Sequence, residues 1–492
     1  MKRHMFALLA ALALFCPQGR SEETIPLRRL EKKGYHLAVR RLDDQAWNRE
    51  TAADPALPRT LAELRAYRRR IATGGVHEEC AEDAYGRLYV ALGNPRLSDA
   101  DVGQIEADLD GELPALESSY ETPEGHFLLR WTNQSAKTSD NIADPAIVEN
   151  TGAYLEAAWT KYVAKFAKEP YVPAGKTKIE IVFFDIPGFL GVASPPDGPI
   201  QFNSAQWVAK PGIRKPTSSH ELFHKLQYAF GYKTNPLAES GKWFSEGTAS
   251  WAEVFATGSV SKAGKVTDLF DVSDIGLIEK TSYNSLPFWI FFESRLQTVP
   301  GYCAMVTFLQ KYEATGKLEA SLTETIVEDG PAQSVYFSDL DDFFALFARE
   351  RFRGAWRTTP SGAKLYPVIL GPDGKPIDPK GTGLDQYFSL SKGQSASFAE
   401  SVSALGADHH RVIPSGLTAP AKVVIQVDAA PEASLAYMIV WMKDGKYVKF
   451  VYPGGAANDY TYQATVEPGT WVFLIVSGRE EGGNYSVTMK VE

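Results

Sequence analysis

Residues 216–231 read PTSSHELFHKLQYAFG. At about 100° of rotation per residue, His220 and His224 fall on one face of a helix, one turn apart, with Glu221 beside them. Leu222, Leu226, Ala229 and Phe230 fall on the far arc, so the apolar side packs on a core while the imidazoles face a cleft. Pro216 and the Ser/Thr cluster predict the start of this helix, and Gly231 its stop. Ser218 with Glu221 also fits a capping box, a structural use that competes for the acid. Two neutral imidazoles held one turn apart suit Zn²⁺. A carboxylate near them, itself not a ligand, suits a base toward a water that such an ion activates.

A catalytic zinc takes a third protein ligand and keeps one position open. Downstream, residues 243–256 read WFSEGTASWAEVFA. Ser245 predicts a cap for a helix beginning at Glu246. Glu246 and Glu253 are seven residues apart, hence about 20° apart on one face. Trp243, Phe244, Trp251, Val254 and Phe255 leave this helix little face to solvate, so two acids on it are unusual.

HELFH, followed after 21 residues by EGTASWAE, resembles the gluzincin metallopeptidases. Members of that group hold zinc with the two histidines of HExxH and a glutamate from a second helix. The aminopeptidase N branch reads EGxAxxxE there, matched here at Glu246, Gly247, Ala249 and Glu253, with a slightly longer interval between motifs. The resemblance covers residues 121–355. It implies His220, His224 and Glu246 as ligands of Zn²⁺, Glu221 as general base, and Glu253 as the acid that orients one histidine. Gly247 would allow close approach of the two helices. Tyr283, in TSYNSLPFW, stands where related families place a tyrosine to stabilise the oxyanion; His126 is a second candidate. A GxMEN-type amine-recognition motif is missing upstream, so aminopeptidase action is not implied. The third histidine of HExxHxxGxxH is missing too. The strand near Pro199–Asn203 is read as the sheet edge that receives substrate backbone.

The remaining chain sets the context. Its 492 residues are 44% hydrophobic and 12% aromatic, with a formal charge of −9: a globular, multi-domain composition that argues against a nucleic-acid partner. Residues 1–21, a basic start followed by a short apolar run, read as a secretory signal peptide, which implies a secreted or periplasmic protein. No later stretch reads as a transmembrane helix. Residues 22–120 read as a helical or pro-region, with helices over 59–72 and 98–109. Residues 121–356 read as an α+β metallopeptidase domain of small sheet plus helical subdomain, 357–395 as a linker, and 396–492 as an all-β sandwich built of short strands between turns. That tail is a candidate for contact with a cell surface or carbohydrate. Asp408, His409 and His410 at its start read as an exposed loop rather than a second metal site. Cys80 and Cys303 leave one disulfide or two thiols open. The expected function is hydrolysis of a peptide or protein substrate. The alternative is a secreted binding or adhesion protein with an inert metallopeptidase-like domain.

Overall fold

The computed structural model describes residues 27–32, 35–40, 58–72, 91, 94–98, 100, 114–186, 188–193, 196–232, 241–267, 277, 283–296, 302–327, 339–352, 369–377, 384–444, 446–452 and 459–492. The chain divides into two compact units, residues 1–69 with 87–113 and residues 70–86 with 114–492. In the first, β1 (Leu27–Lys32) pairs antiparallel with β2 (Tyr35–Arg40), a hairpin that the sequence reading did not anticipate. The helix expected over 59–72 forms as α1 (Leu61–Ala72). Its start is a capping box: Glu63 N–H donates to Thr60 Oγ1 at 3.2 Å, and Thr60 N–H to Glu63 Oε2 at 3.0 Å. The signal peptide, Cys80 and nearly all of the helix expected over 98–109 lie outside the described residues. Cys303 carries a free, buried thiol.

The second unit opens with a five-stranded sheet. Its order is β3 (Ser118–Glu121), β4 (Phe127–Trp131), β5 (Ile179–Phe184), β7 (Ile200–Asn203), β6 (Gly191–Val192). β4, β5 and β7 run parallel, and β3 and β6 flank them antiparallel. The expected edge at 199–203 is thus interior, and the edge beside it is the two-residue β6. Between β4 and β5 runs α2 (Pro145–Phe166), begun by Pro145 and by the Asp144 side chain, which accepts from Ala146 N–H. The Asn203 side chain caps the short α3 (Ser204–Ala209) in the same way.

The motif helix is α4 (Pro211–Ala229). It begins five residues earlier than Pro216 because Pro211 already supplies a first helical position. Pro216 lies inside it, opposite the carbonyl of Gly212. Gly212 is required for a different reason: a Cβ there would meet the Pro372 carbonyl oxygen at 1.7 Å. Ser218 sits mid-helix, its Oγ donating to the Arg214 carbonyl at 2.7 Å, so the capping box is not formed and Glu221 is not a cap. The second motif lies on α5 (Lys242–Thr257), whose N-cap is Gly241. Ser245 and Glu246 therefore fall inside the helix rather than at its start.

Then come α6 (Gly264–Thr267), α7 (Leu286–Leu296), α8 (Ala304–Thr315), α9 (Leu318–Val327) and α10 (Leu340–Phe352). The helical periodicity anticipated α7, α8 and α10 but not α9. Among the described residues, no helix is long and apolar enough to cross a membrane.

The last hundred residues form two β layers that share one strand. β13 (Lys446–Val451), β12 (Ser434–Lys443), the first half of β15 (Thr470–Val491), β10 (Ala407–Pro414) and β8 (Gln386–Leu390) make one layer. β14 (Asp459–Val466), β11 (Ala421–Ala429), the second half of β15 and β9 (Ser395–Val402) make the other. The tail is thus not made of short strands throughout: β15 runs for 22 residues and bends at glycines. β8 falls within the stretch read as linker, so the sheet begins before residue 396.

Alternation explains the packing. Leu435, Tyr437, Ile439 and Trp441 of β12 enter the sandwich core with Val423, Ile425, Val472 and Leu474. Ala436, Met438 and Val440 face the other way and join Phe343, Phe347, Phe473 and Ile475 in the main core. Both faces of β12 are covered, so it reads as an unbroken apolar run. Arg479 secures this contact with hydrogen bonds of 2.9 Å to Asp342 and Asp339, and the Tyr452 hydroxyl donates to Asp342 at 2.6 Å.

Gly482 sits at the bend of β15 with φ +67°, and a Cβ there would meet the Val402 carbonyl oxygen at 2.2 Å. Gly482→Ala should therefore destabilise the C-terminal region by more than about 1 kcal/mol. Calorimetry should show the unfolding transition of the unit that holds it, residues 114–492 included, moving down.

Candidate metal centre

Helices α4 and α5 pack side by side and bury every group of the two motifs. His220, His224 and Glu246 each offer a ligand atom, and the three atoms lie within 4.8 Å of one another. His220 Nε2 is 3.0 Å from Glu246 Oε2, and His224 Nε2 is 3.7 Å from Glu246 Oε1. Tetrahedral zinc with bonds of 2.0–2.2 Å separates its ligands by roughly 3.4 Å, so these spacings fit one ion.

The far side of each ring is also held. His220 Nδ1 is 2.9 Å from Glu253 Oε1. His224 Nδ1 is 2.8 Å from Gln227 Oε1, and the Gln227 amide donates to the Ser245 carbonyl at 2.9 Å and to Thr248 Oγ1 at 2.7 Å. An Nδ1–H that donates to an acceptor leaves the lone pair of a neutral ring on Nε2. Both lone pairs then point toward the Glu246 carboxylate. The buried space between them can be filled by a proton on His220 Nε2, which then donates to Glu246, or by a divalent cation that all three groups ligate. The donor set therefore fits a divalent metal of the zinc type, with Glu253 and Gln227 as outer partners.

The electrostatics agree. Burial lowers the His224 pKa to about 4, against the pull of Glu246, so this ring is neutral near pH 7. Burial and Lys265 oppose the charge of His220, but its hydrogen bonds to Glu246 and Glu253 prevail and raise its pKa. With no ion present, a proton on His220 takes the place between the two acids. Burial alone would raise the Glu253 carboxyl, yet Lys265 and His220 hold it at about 2. Burial pushes Glu221 up to about 8, with His220 opposing and Glu246 assisting.

Glu221 is buried beside this group and is not one of its three ligand atoms. Gly191 of β6 lies directly against it: a Cβ there would sit 2.8 Å from Glu221 Cγ and Oε1. Gly247 does not serve the approach of α4 to α5 as expected. A Cβ on it would meet Ser285 Oγ at 1.9 Å and Trp289 Nε1 at 2.5 Å, so it admits the turn 283–285 and α7 instead. That approach brings Tyr283 in, with its ring centroid 5.7 Å from that of His220.

The other sequence candidates lie in different surroundings. His126 bonds Glu156 through Nδ1 at 2.6 Å and stacks on Trp159 with ring centroids 4.3 Å apart. Asp408, His409 and His410 are not an exposed loop. They are buried residues of β10, where the Tyr485 hydroxyl donates to Asp408 and lies 2.8 Å from His410 Nε2. Sequence reasoning missed two groups of the site, Gln227 and Lys265. Gln227 stands three residues after His224, a spacing that puts it on the same helix face; Lys265 carries no comparable signal.

No protein-family model matches the chain, and no curated protein matches it. Among solved structures, it is similar to the pre-peptidase C-terminal domain of a Bacillus anthracis collagenase, at 12% identity and a TM-score of 0.17, over 23% of this chain and 100% of that one. It is also similar to a Yersinia pseudotuberculosis-derived mitogen, at 15% identity and 0.17, over 20% and 86% of the two chains. A family 35 carbohydrate-binding module from an environmental isolate is a third, at 13% and 0.12, over 20% and 66%.

The ligand assignment has a direct consequence. Glu246→Gln should lower zinc affinity strongly, whereas Glu253→Gln should weaken it less, by about 10- to 100-fold. Competition with a chelator measures both; the reverse order would remove Glu246 from the ligand set.

Proposed function

We propose that this chain is a zinc-dependent metallopeptidase of gluzincin type, with His220, His224 and Glu246 as the metal ligands. The observation that carries this reading is the convergence of two Nε2 atoms and one carboxylate in a buried space, each ring fixed from behind through Nδ1. Zinc, when bound, supplies a Lewis acid that polarises a carbonyl and lowers the pKa of water to about 7.

The protein's own groups do the rest. In its ionised form, Glu221 takes the proton of the attacking water and delivers it to the leaving amine. Its freedom from any capping role and its seat against Gly191 support this assignment. Glu253 and Gln227 keep the imidazoles in the tautomer that ligation needs. Tyr283, beside His220, is the candidate donor to the oxyanion. The edge strand β6 is the candidate seat for an extended substrate backbone, since it carries Gly191 against Glu221. A peptide or protein is the substrate, and residues 1–21 direct the chain to the periplasm or the exterior. The sandwich is the part suited to contact with a surface or carbohydrate.

The rival reading is a binding protein with an inert domain, and one variant separates the two. Glu221→Gln should reduce hydrolysis of casein or a peptide library by at least about 100-fold while zinc stays bound. If wild-type protein with its zinc digests nothing across such a library, the binding reading stands instead. Gly191→Ala should displace the Glu221 side chain, lowering kcat and leaving zinc affinity within about 3-fold of wild type; chelator competition beside steady-state kinetics checks both.

A further inference from the structure

Lys265 lies on the short helix α6, outside both sequence motifs. Its side chain is only 3% exposed, and lysine is almost never buried without a partner. The partner here is Glu253: Lys265 Nζ donates to Glu253 Oε1. The same ammonium lies 3.4 Å from His220 Nδ1 and 4.6 Å from the centroid of the Tyr283 ring. Ser261, four residues earlier, donates to the same carboxylate twice, from its N–H to Oε2 at 2.7 Å and from its Oγ to Oε1 at 3.1 Å. His220 Nδ1, Lys265 Nζ and Ser261 Oγ converge on Oε1 while the Ser261 N–H holds Oε2, so the carboxylate is pinned through both oxygens in the orientation that faces His220.

We propose that Lys265 is a positioning residue of the metal centre, which acts through Glu253 by anchoring its carboxylate to His220 Nδ1 and away from the ion. This rests on the metal-site reading above. The chemistry is simple charge and direction. A buried carboxylate needs a cation near it, and Glu253 stands beside two further acids, Glu221 and Glu246, that the ion must serve. Lys265 gives Glu253 a cation of its own. The ion is left to Glu246 and the two imidazoles, and one position stays open. The segment 261–265 thus acts as a brace behind His220, much as Gln227 does behind His224.

The test is zinc affinity by chelator competition on the full chain, for wild type, Lys265→Met, Glu253→Gln and the double variant, with far-UV circular dichroism as the check on folding. Lys265→Met should bind zinc about 10- to 100-fold more weakly. In the Glu253→Gln background the same change should cost less than about 3-fold, because its route of action is already gone. With Co²⁺ as probe, Lys265→Met should also alter the visible absorption of the bound ion, which a remote packing defect would leave alone. A folded Lys265→Met variant with wild-type affinity overturns the proposal, and so do losses that simply multiply in the double variant. If Lys265→Met does not fold, the comparison of Glu253→Gln with the double variant, which removes the buried pair together, decides: a further loss of 10-fold or more overturns it. Wild-type protein that takes up no zinc overturns the metal-site reading first, and this inference with it.

Discussion

Two hydrogen bonds made behind the imidazoles organise this protein. His220 Nδ1 meets Glu253 and His224 Nδ1 meets Gln227, and both bonds are buried. They aim two nitrogen lone pairs at the Glu246 carboxylate and create a buried site that is short of positive charge. Desolvating so many polar groups is costly unless each has a partner. The surrounding fold supplies those partners from α4, α5 and α6, which is why these elements meet where they do.

The packing around α4 and α5 serves the same end. α2 holds α4 from one side, through the Tyr162 hydroxyl on the Ser219 carbonyl at 2.8 Å and through the rings of Phe166, Phe223 and Trp251. On the other side, Ser285 Oγ and Trp289 Nε1 both donate to the Trp243 carbonyl, at 2.7 and 2.8 Å. The missing side chain at Gly247 makes room for that approach and brings Tyr283 beside His220. The hairpin of β6 and β7 is tied down by Lys225, whose Nζ donates to the carbonyls of Pro196 and Gly198 at 2.7 and 2.8 Å. Lys225 follows His224 directly on α4, so the helix that presents the histidines also fixes the strand that abuts Glu221.

Much of this was legible in the sequence, and the exceptions have physical causes. Helical periodicity put His220, Glu221 and His224 on one face and Glu246 and Glu253 on another, and only the resemblance to gluzincins joined the two sets in one site. Their neighbours across the site depend on tertiary packing: Lys265 stands twelve residues beyond Glu253 on another helix, and in the stretch GSVSKAGKVT nothing periodic separates it from Lys262. Helix starts were misplaced because several residues competed for the cap. Pro211 took the role assigned to Pro216, and Gly241 the one assigned to Ser245. In the tail, the glycines of β15 carry the signature of a turn, yet they bend one strand from one layer to the other. His409 and His410 look like loop residues beside Asp408 but are strand residues, and the Tyr485 hydroxyl meets His410 Nε2. The hairpin of β1 and β2 was hidden by its charge, since basic residues between apolar ones read as readily as a solvated helix.

We propose that a single divalent ion belongs between His220, His224 and Glu246. The most direct measurement is a crystal structure of the zinc-loaded protein with anomalous scattering collected on both sides of the zinc edge. The account predicts one anomalous peak per chain at that point, with about 2.0–2.1 Å to both Nε2 atoms and with Glu253 still on His220 Nδ1. A zinc-saturated crystal with no peak there, or with Glu253 rather than Glu246 in the coordination sphere, would contradict it.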